Sequence, residues 1–446
     1  MTHELLPTLL GWMEVLAPAF TKPGFGNAVI AIVGWIRTSG PRLVTEALLA
    51  TDTARRRHHD MLYRFFSRGA WYVDDLGHLL MVKILKHLVP SEVTVELVVD
   101  DTLTRHKGPK IFGLGNHLDA VRSTRKHRIF SFGHIWVVVS VVVWFPFSSR
   151  PWALPILFRL YRNKKDCAEG EYRKKTELAR ELLDLVASWF PQRRFLVTAD
   201  EAYSNATVAK KMLQGMQMVG VMRPNAALTT VPGRNSRNKA GRPALRGKRL
   251  PTPRQVFDQT KRWRKFEVFI YGQKRTLSAK LVEAQWYRVT GDRKLRIVIV
   301  RTERGKVPFR TFFSTDASMT VEQIIEAYAS RWSIEVCFRD LKQELGFGQS
   351  QARKREAVER VTPFIGYTYT MLVLWFATGV ADTPVATPPL RPWYRHKKGM
   401  CFADILRAAQ RVLGDVDVLD LMRDFEQLRK TPESPLSFND DAKLAA

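Results

Sequence analysis

Cysteine is scarce in this chain. Its 446 residues hold three, Cys167, Cys337 and Cys401, too far apart for a CxxC pair or a zinc-ligand spacing. A disulfide framework and a zinc module are therefore excluded, and a reducing cytosol is the simplest setting. Acidic residues are also short: 43 Asp and Glu stand against 71 Lys and Arg, a formal charge of +28. The opening "MTHELLPTLLGWMEVLAPAF" lacks the cationic n-region of a good secretory signal. Internal repeats are absent. Charge-free runs are few, and "FIGYTYTMLVLWFATGVA" (364–381) reaches only the lower limit of a membrane span. Its Gly, Thr and Tyr lower its hydropathy and no second span accompanies it, so a fully buried core helix is expected and no membrane partner.

What is present begins with the positive charge. Such an excess implies a polyanionic partner, with nucleic acid ahead of an acidic membrane surface. The cations are not one tail. They recur at 53–64, 122–128, 162–165 and through the 230s to 260s, which suits a long DNA track. Hydrophobic residues make up 45% and aromatics 11%, ample for one large domain or two to three smaller ones.

The pattern along the chain suggests five parts. Residues 1–90 read as helical, over 24–37, 41–50, 54–67 and 73–88, and "TARRRHHDMLYRFFSRGAW" puts Arg55, Arg56, Arg57 and His58 ahead of an aromatic stripe. This is either a small bundle with a basic surface or a helix-turn-helix-like DNA-binding module; DNA binding is the favoured reading. Residues 91–224 alternate strands and helices: strands at 93–101, 134–145, 194–203 and 219–224, helices at 172–190 and 205–216. That is an α/β layered unit with a mixed sheet. Residues 225–319 contain a basic loop (233–255) and then strand-like runs at 265–272, 274–284, 295–303 and 308–315, an antiparallel β insertion. Residues 320–382 return to helix, with Thr320 as N-cap and Gln323 in the capping-box position. Residues 383–446 hold a Pro-rich connector, a basic "RPWYRHKK" (391–398) and further helix.

Three carboxylates draw attention for one physical reason. Asp100 and Asp200 each end a buried hydrophobic strand, where functional side chains of an open sheet reach solvent. An Asp after a strand is commonly only a turn former. In "YASRWSIEVCFRDLKQEL" (328–345), however, Tyr328, Arg331, Glu335, Arg339 and Lys342 share about an 80° arc of a helix. Ordinary solvated ion pairs explain most such faces. Two strand-end aspartates plus a glutamate among cations is more specific, because converging carboxylates need a cation between them. Hard oxygen ligands suit Mg²⁺ or Mn²⁺, and two such ions can act on a phosphodiester. Asp100 and Asp101 are adjacent and alternate to opposite faces; the Asp-x-Thr pattern with Thr102 favours Asp100 as the ligand. His127, in the basic run at 122–128, reads as part of a solvated phosphate-contacting face.

Tyr328-x2-Arg331-x3-Glu335-x6-Lys342 resembles the Tyr-Arg-Glu-Lys signature of a large clan of bacterial insertion-sequence transposases, the IS-four-like superfamily with its IS-seven-zero-one-like branch. "VVDDT" (98–102) looks like the clan's first-aspartate strand. "TADEAY" (198–203) looks like its second, Asp-x-Gly/Ala-Tyr/Phe. The resemblance covers roughly residues 90–350. It implies a DDE enzyme with an RNase H-like core interrupted by a β insertion, working in the bacterial cytoplasm at the nucleoid. It implies that Asp100, Asp200 and Glu335 hold two Mg²⁺ ions, and that Tyr328, Arg331, Trp332 and Lys342 bind DNA. The substrates would be double-stranded terminal inverted repeats and target DNA, gripped by a dimer. Trp332 is either a packing aromatic or a platform for an extruded base; Trp263 and Trp286 are further candidates. Two rivals stay open: an RNase H-like nuclease without strand transfer, and a non-catalytic DNA-binding relative.

Overall fold

The computed structural model describes residues 2–108, 110–124, 126–232, 244–302, 307–388, 392–393 and 399–421. Residues 233–243 of the basic loop at 233–255 and most of "RPWYRHKK" lie outside the described residues. Helices open the chain: α1 (Thr2–Glu14), α2 (Lys22–Arg37), α3 (Val44–Ala50), α4 (Asp60–Arg68) and α5 (Val73–Leu88). α1 lies in the region read as helical, ahead of its first named segment at 24–37, and Arg55–Arg57 fall before α4 rather than inside it.

The strands follow the β-branched runs. They are β1 (Val95–Arg105), β2 (Gly115–Leu118), β3 (Phe130–Val143), β4 (Trp152–Tyr161), β5 (Phe195–Ala199), β6 (Met216–Val221), β7 (Leu228–Thr229), β8 (Arg249–Leu250), β9 (Arg264–Ile270), β10 (Gln273–Gln285), β11 (Lys294–Arg301) and β12 (Phe309–Ser314). The remaining helices are α6 (Lys175–Trp189), α7 (Ala206–Ala209), α8 (Pro253–Gln259), α9 (Tyr287–Thr290), α10 (Val321–Ser330), α11 (Trp332–Glu344), α12 (Arg355–Gly379) and α13 (Phe402–Leu413). The helix expected over 205–216 is a single turn, α7, because the chain must reverse to enter β6 at Met216.

One mixed sheet runs β2-β3-β1-β5-β6-β12-β11-β10-β7-β8, with β4 on β3 and β9 on β10. β1, β5 and β6 are parallel neighbours; β3 runs antiparallel to β1. β12 pairs antiparallel with β6 through Phe312–Val221, Phe313–Gly220 and Ser314–Val219. The antiparallel strands of 225–319 thereby extend the sheet that carries Asp100 and Asp200. β3 is buried from Gly133 to Val143, as a strand covered on both faces must be.

One hydrophobic core joins the opening helices to the sheet: Leu9, Ile30, Leu80, Val139, Leu183 and Leu372 belong to the same packed cluster. Burying each such side chain stabilises the fold by roughly 2 kcal/mol. A smaller cluster, including Val219, Val298, Phe312 and Ile324, packs α10 on the far part of the sheet. α12 is buried from Val361 to Phe376, and among the described residues no helix is long and apolar enough to cross a membrane. Gly77 on α5 allows one close approach, since a Cβ there would stand 1.8 Å from the Ile156 carbonyl oxygen of β4.

Candidate catalytic centre

The parallel register of β1 and β5 runs from Val95–Phe195 to Val99–Ala199. The next residues are Asp100 and Asp200, so both carboxylates stand just past the end of the β1–β5 pairing; Asp200 follows the last residue of β5, but Asp100 does not end its strand as expected, because β1 continues on β3 to Arg105. The end of a parallel pairing is where open α/β sheets commonly place their sites. Alternation sends Asp100 and Asp101 apart. Asp100 accepts from Arg331 Nη1 at 2.8 Å, at the start of α11. Asp101 instead accepts from Lys175 Nζ, at 3.1 and 3.0 Å, and from the Tyr203 hydroxyl at 2.7 Å.

The segment 328–345 is not one unbroken helix. α10 ends at Ser330 and α11 begins at Trp332. At the junction the bonds tighten to i→i−3: Arg331 N–H to Tyr328 C=O at 3.2 Å and Ile334 N–H to Arg331 C=O at 3.1 Å. Arg331 turns its guanidinium between two acids, Nη1 on Asp100 and Nη2 on Glu335 Oε1 at 2.5 Å. Thr320 caps α10 with Gln323 completing the box, as expected.

The electrostatics describe a site that needs positive charge. Burial pushes the Asp100 carboxyl up to about 7; Arg331 opposes the rise, and Asp200 and Asp101 add to it. Burial also raises Asp200, against the backbone N–H groups of Tyr203 and Ala202 and the charge of Arg331. Its Oδ1 accepts from those two N–H groups at 3.2 and 2.9 Å. Burial alone would lower Arg331, but Asp100, Tyr328 and Glu335 hold it protonated and carry the net shift upward.

The other predicted contacts scatter around this centre. Lys342 donates to Thr102 Oγ1 at 2.6 Å, and burial together with Arg105 lowers its ammonium to about 8. Tyr328 packs its ring 4.5 Å from that of Phe312, with the Arg331 guanidinium 5.7 Å from its centroid; burial raises its phenol. Trp332 is 47% exposed and meets Tyr271 edge-on at 5.9 Å. Trp286 is buried against Phe313, the packing role, and half-buried Trp263 lies 5.5 Å from Phe257. His127 is exposed.

Sequence reasoning missed Lys175 altogether and gave the Tyr203 hydroxyl no role. The Asp-x-Ala-Tyr pattern signalled Tyr203; no spacing links Lys175 to Asp101, since the pair is closed by the fold. As the side chains stand, no group of three or more His, Cys, Asp or Glu among the described residues is placed to hold a metal ion. The guanidinium of Arg331 links Asp100 and Glu335. The donor set itself, three carboxylates with Asp100 and Asp200 half-buried and in mutual repulsion, fits a hard divalent ion.

The family description "DDE superfamily endonuclease" matches residues 17–291, more than half of the chain. The chain belongs to that family. The match spans Asp100 and Asp200 and ends before Glu335. Enzymes of this superfamily generally use divalent metal ions. No curated protein matches the chain. Among solved structures, a piggyBac transposase synaptic complex with hairpin DNA is similar at a TM-score of 0.42 and 10% identity, over 99% of this chain and 81% of that one.

Proposed function

We propose that this endonuclease is the DNA transposase of an insertion sequence, of the IS-four-like, Tyr-Arg-Glu-Lys type, cutting element ends and joining them to target DNA by cut-and-paste. The observation that carries the proposal is the placement of Asp100 beside Asp200, with Glu335 joined to Asp100 through Arg331. Membership of the DDE endonucleases and the +28 charge support it. The parts would be a DNA-binding region over 1–90, an RNase H-like core over 91–224 completed by 320–382, a β insertion over 225–319, and a helical region over 383–446. A dimer would hold two inverted-repeat ends, at the bacterial nucleoid.

Asp100, Asp200 and Glu335 would together hold Mg²⁺, two ions in this reading. Such ions, when bound, supply Lewis-acid polarisation of the phosphodiester and an acidic water. The chain's own side chains do the rest. Arg331 releases the carboxylates and turns to a phosphate, which it meets bidentately. Lys342 adds a point charge, Tyr328 braces the Arg331 fork, and exposed Trp332 offers a stacking face.

Purified protein, the DNA flanking its gene, and Mg²⁺ against EDTA test this. Mg²⁺-dependent breaks at the element ends with joined products are expected. Breaks without joined products would instead mark a nuclease that lacks strand transfer.

A further inference from the structure

We infer that Tyr203, Asp101 and Lys175 form a brace that sets the spacing of Asp100 and Asp200 for divalent-ion binding, an inference that rests on the metal-site reading above. The backbone pairing of β1 with β5 stops at Val99 and Ala199. Asp200 therefore stands one residue beyond the last ladder position, in the turn that leads to Asn205 and α7. Its carboxylate is fixed within that turn by the N–H groups of Ala202 and Tyr203, and the turn itself must be fixed to β1.

The Tyr203 side chain makes that connection. It is 1% exposed, and its hydroxyl crosses to Asp101 Oδ1 at 2.7 Å. Asp101 is bound in turn by the ammonium of Lys175, in the first turn of α6. Thus the residue after one proposed ligand is tied to the third residue after the other. A helix on the face away from Arg331 anchors both. A tyrosine hydroxyl in the interior needs a partner, and Asp101 supplies one without entering the ion-facing side. Tyr203 and Lys175 are positioning residues: they act on the ion only through Asp101 and the end of the β1–β5 pairing. Side chains that orient metal ligands in this way commonly govern metal affinity by an order of magnitude or more.

The test compares Tyr203→Phe with Asp101→Asn in the full-length protein. The first keeps every charge and loses the tie; the second loses a charge and keeps an oxygen for the Tyr203 hydroxyl. Mn²⁺ binding is read by calorimetry without DNA, alongside the melting temperature in EDTA. Tyr203→Phe is expected to weaken Mn²⁺ binding roughly tenfold, with its cleavage rate recovering at saturating metal. Asp101→Asn is expected to remain closer to wild type. Unchanged Mn²⁺ affinity in Tyr203→Phe with only a lower melting temperature would reduce the tyrosine to core packing and overturn the brace. So would the reverse ranking, which would make Asp101 a charge effect. If wild type binds Mn²⁺ and Glu335→Gln does not, the metal-site reading stands independently of the brace. If wild type binds none, both fall.

Discussion

Arg331 places one guanidinium on both Asp100 and Glu335, so an ion entering the proposed metal site would have to compete with a cation already there and with a proton on Asp100. Asp100 is held up to about 7, chiefly by burial, against about 3.9 in an unfolded chain. Between those values the folded protein binds the extra proton. The stability this gives is complete at low pH and is lost as pH rises through 7. Metal binding requires the carboxylate, so Mn²⁺ affinity should climb between about pH 6 and 8; calorimetry showing a flat response would separate Asp100 from the ion. Lys342 shifts the other way, down to about 8 through burial and Arg105. Between about pH 8 and 10.4 the unfolded chain binds the extra proton, so stability rises with pH across that window. A phosphate contact by Lys342 should weaken over the same range. DNA affinity is predicted to fall past pH 8 in wild type and to hold steadier in Lys342→Arg, as read by fluorescence anisotropy; parallel pH curves would remove Lys342 from the contact. At this scale the sequence was informative where one strand period governs geometry: Asp100 and Asp101 meet different partners on opposite faces, as alternation requires. It was silent on Tyr203–Asp101 and Lys175–Asp101, whose partners lie 102 and 74 residues apart.

Local rules read well wherever an element depends on its own residues. The Thr320–Gln323 capping box and the charge-free interior of α12 are examples. They failed at β4, whose Pro155 argues against a strand. The structure accommodates it by a register shift: Val139 faces Leu157 while Ser140 faces Pro155, leaving Ile156 as the extra residue of a bulge. That bulge turns the Ile156 carbonyl toward α5 where only Gly77 leaves room. Gly77→Ala is therefore predicted to destabilise the fold by roughly 3 kcal/mol, measured by denaturant unfolding. A loss of a few tenths would mean that α5 and β4 are not packed this closely. The break between α10 and α11 was equally hidden, because helical spacing persists through Arg331 while its hydrogen bonds shorten to three residues.

For the molecule as a whole, composition pointed to a polyanionic partner, and the order of strand and helix patterns to an α/β layered core. It could not show that the β-rich 225–319 segment continues the main sheet through β12 and β6, nor that helices α1, α2 and α5 share one core with the strands. Both depend on non-local pairing. The consequence is mechanical: the Glu335 helix follows α10, which packs on the far sheet, while Asp100 and Asp200 ride the central strands, so one continuous sheet relates all three acids. The central claim is that these acids work as one centre. The most direct measurement is Mg²⁺-dependent cleavage of the element-end DNA by Asp100→Asn, Asp200→Asn and Glu335→Gln. Asp258→Asn on α8, an exposed carboxylate paired with Arg254, serves as control. DNA binding is measured in parallel. The account predicts that each of the three loses cleavage by at least about a thousandfold while still binding DNA, with the control unaffected. Cleavage near the wild-type rate in any one of the three would contradict it.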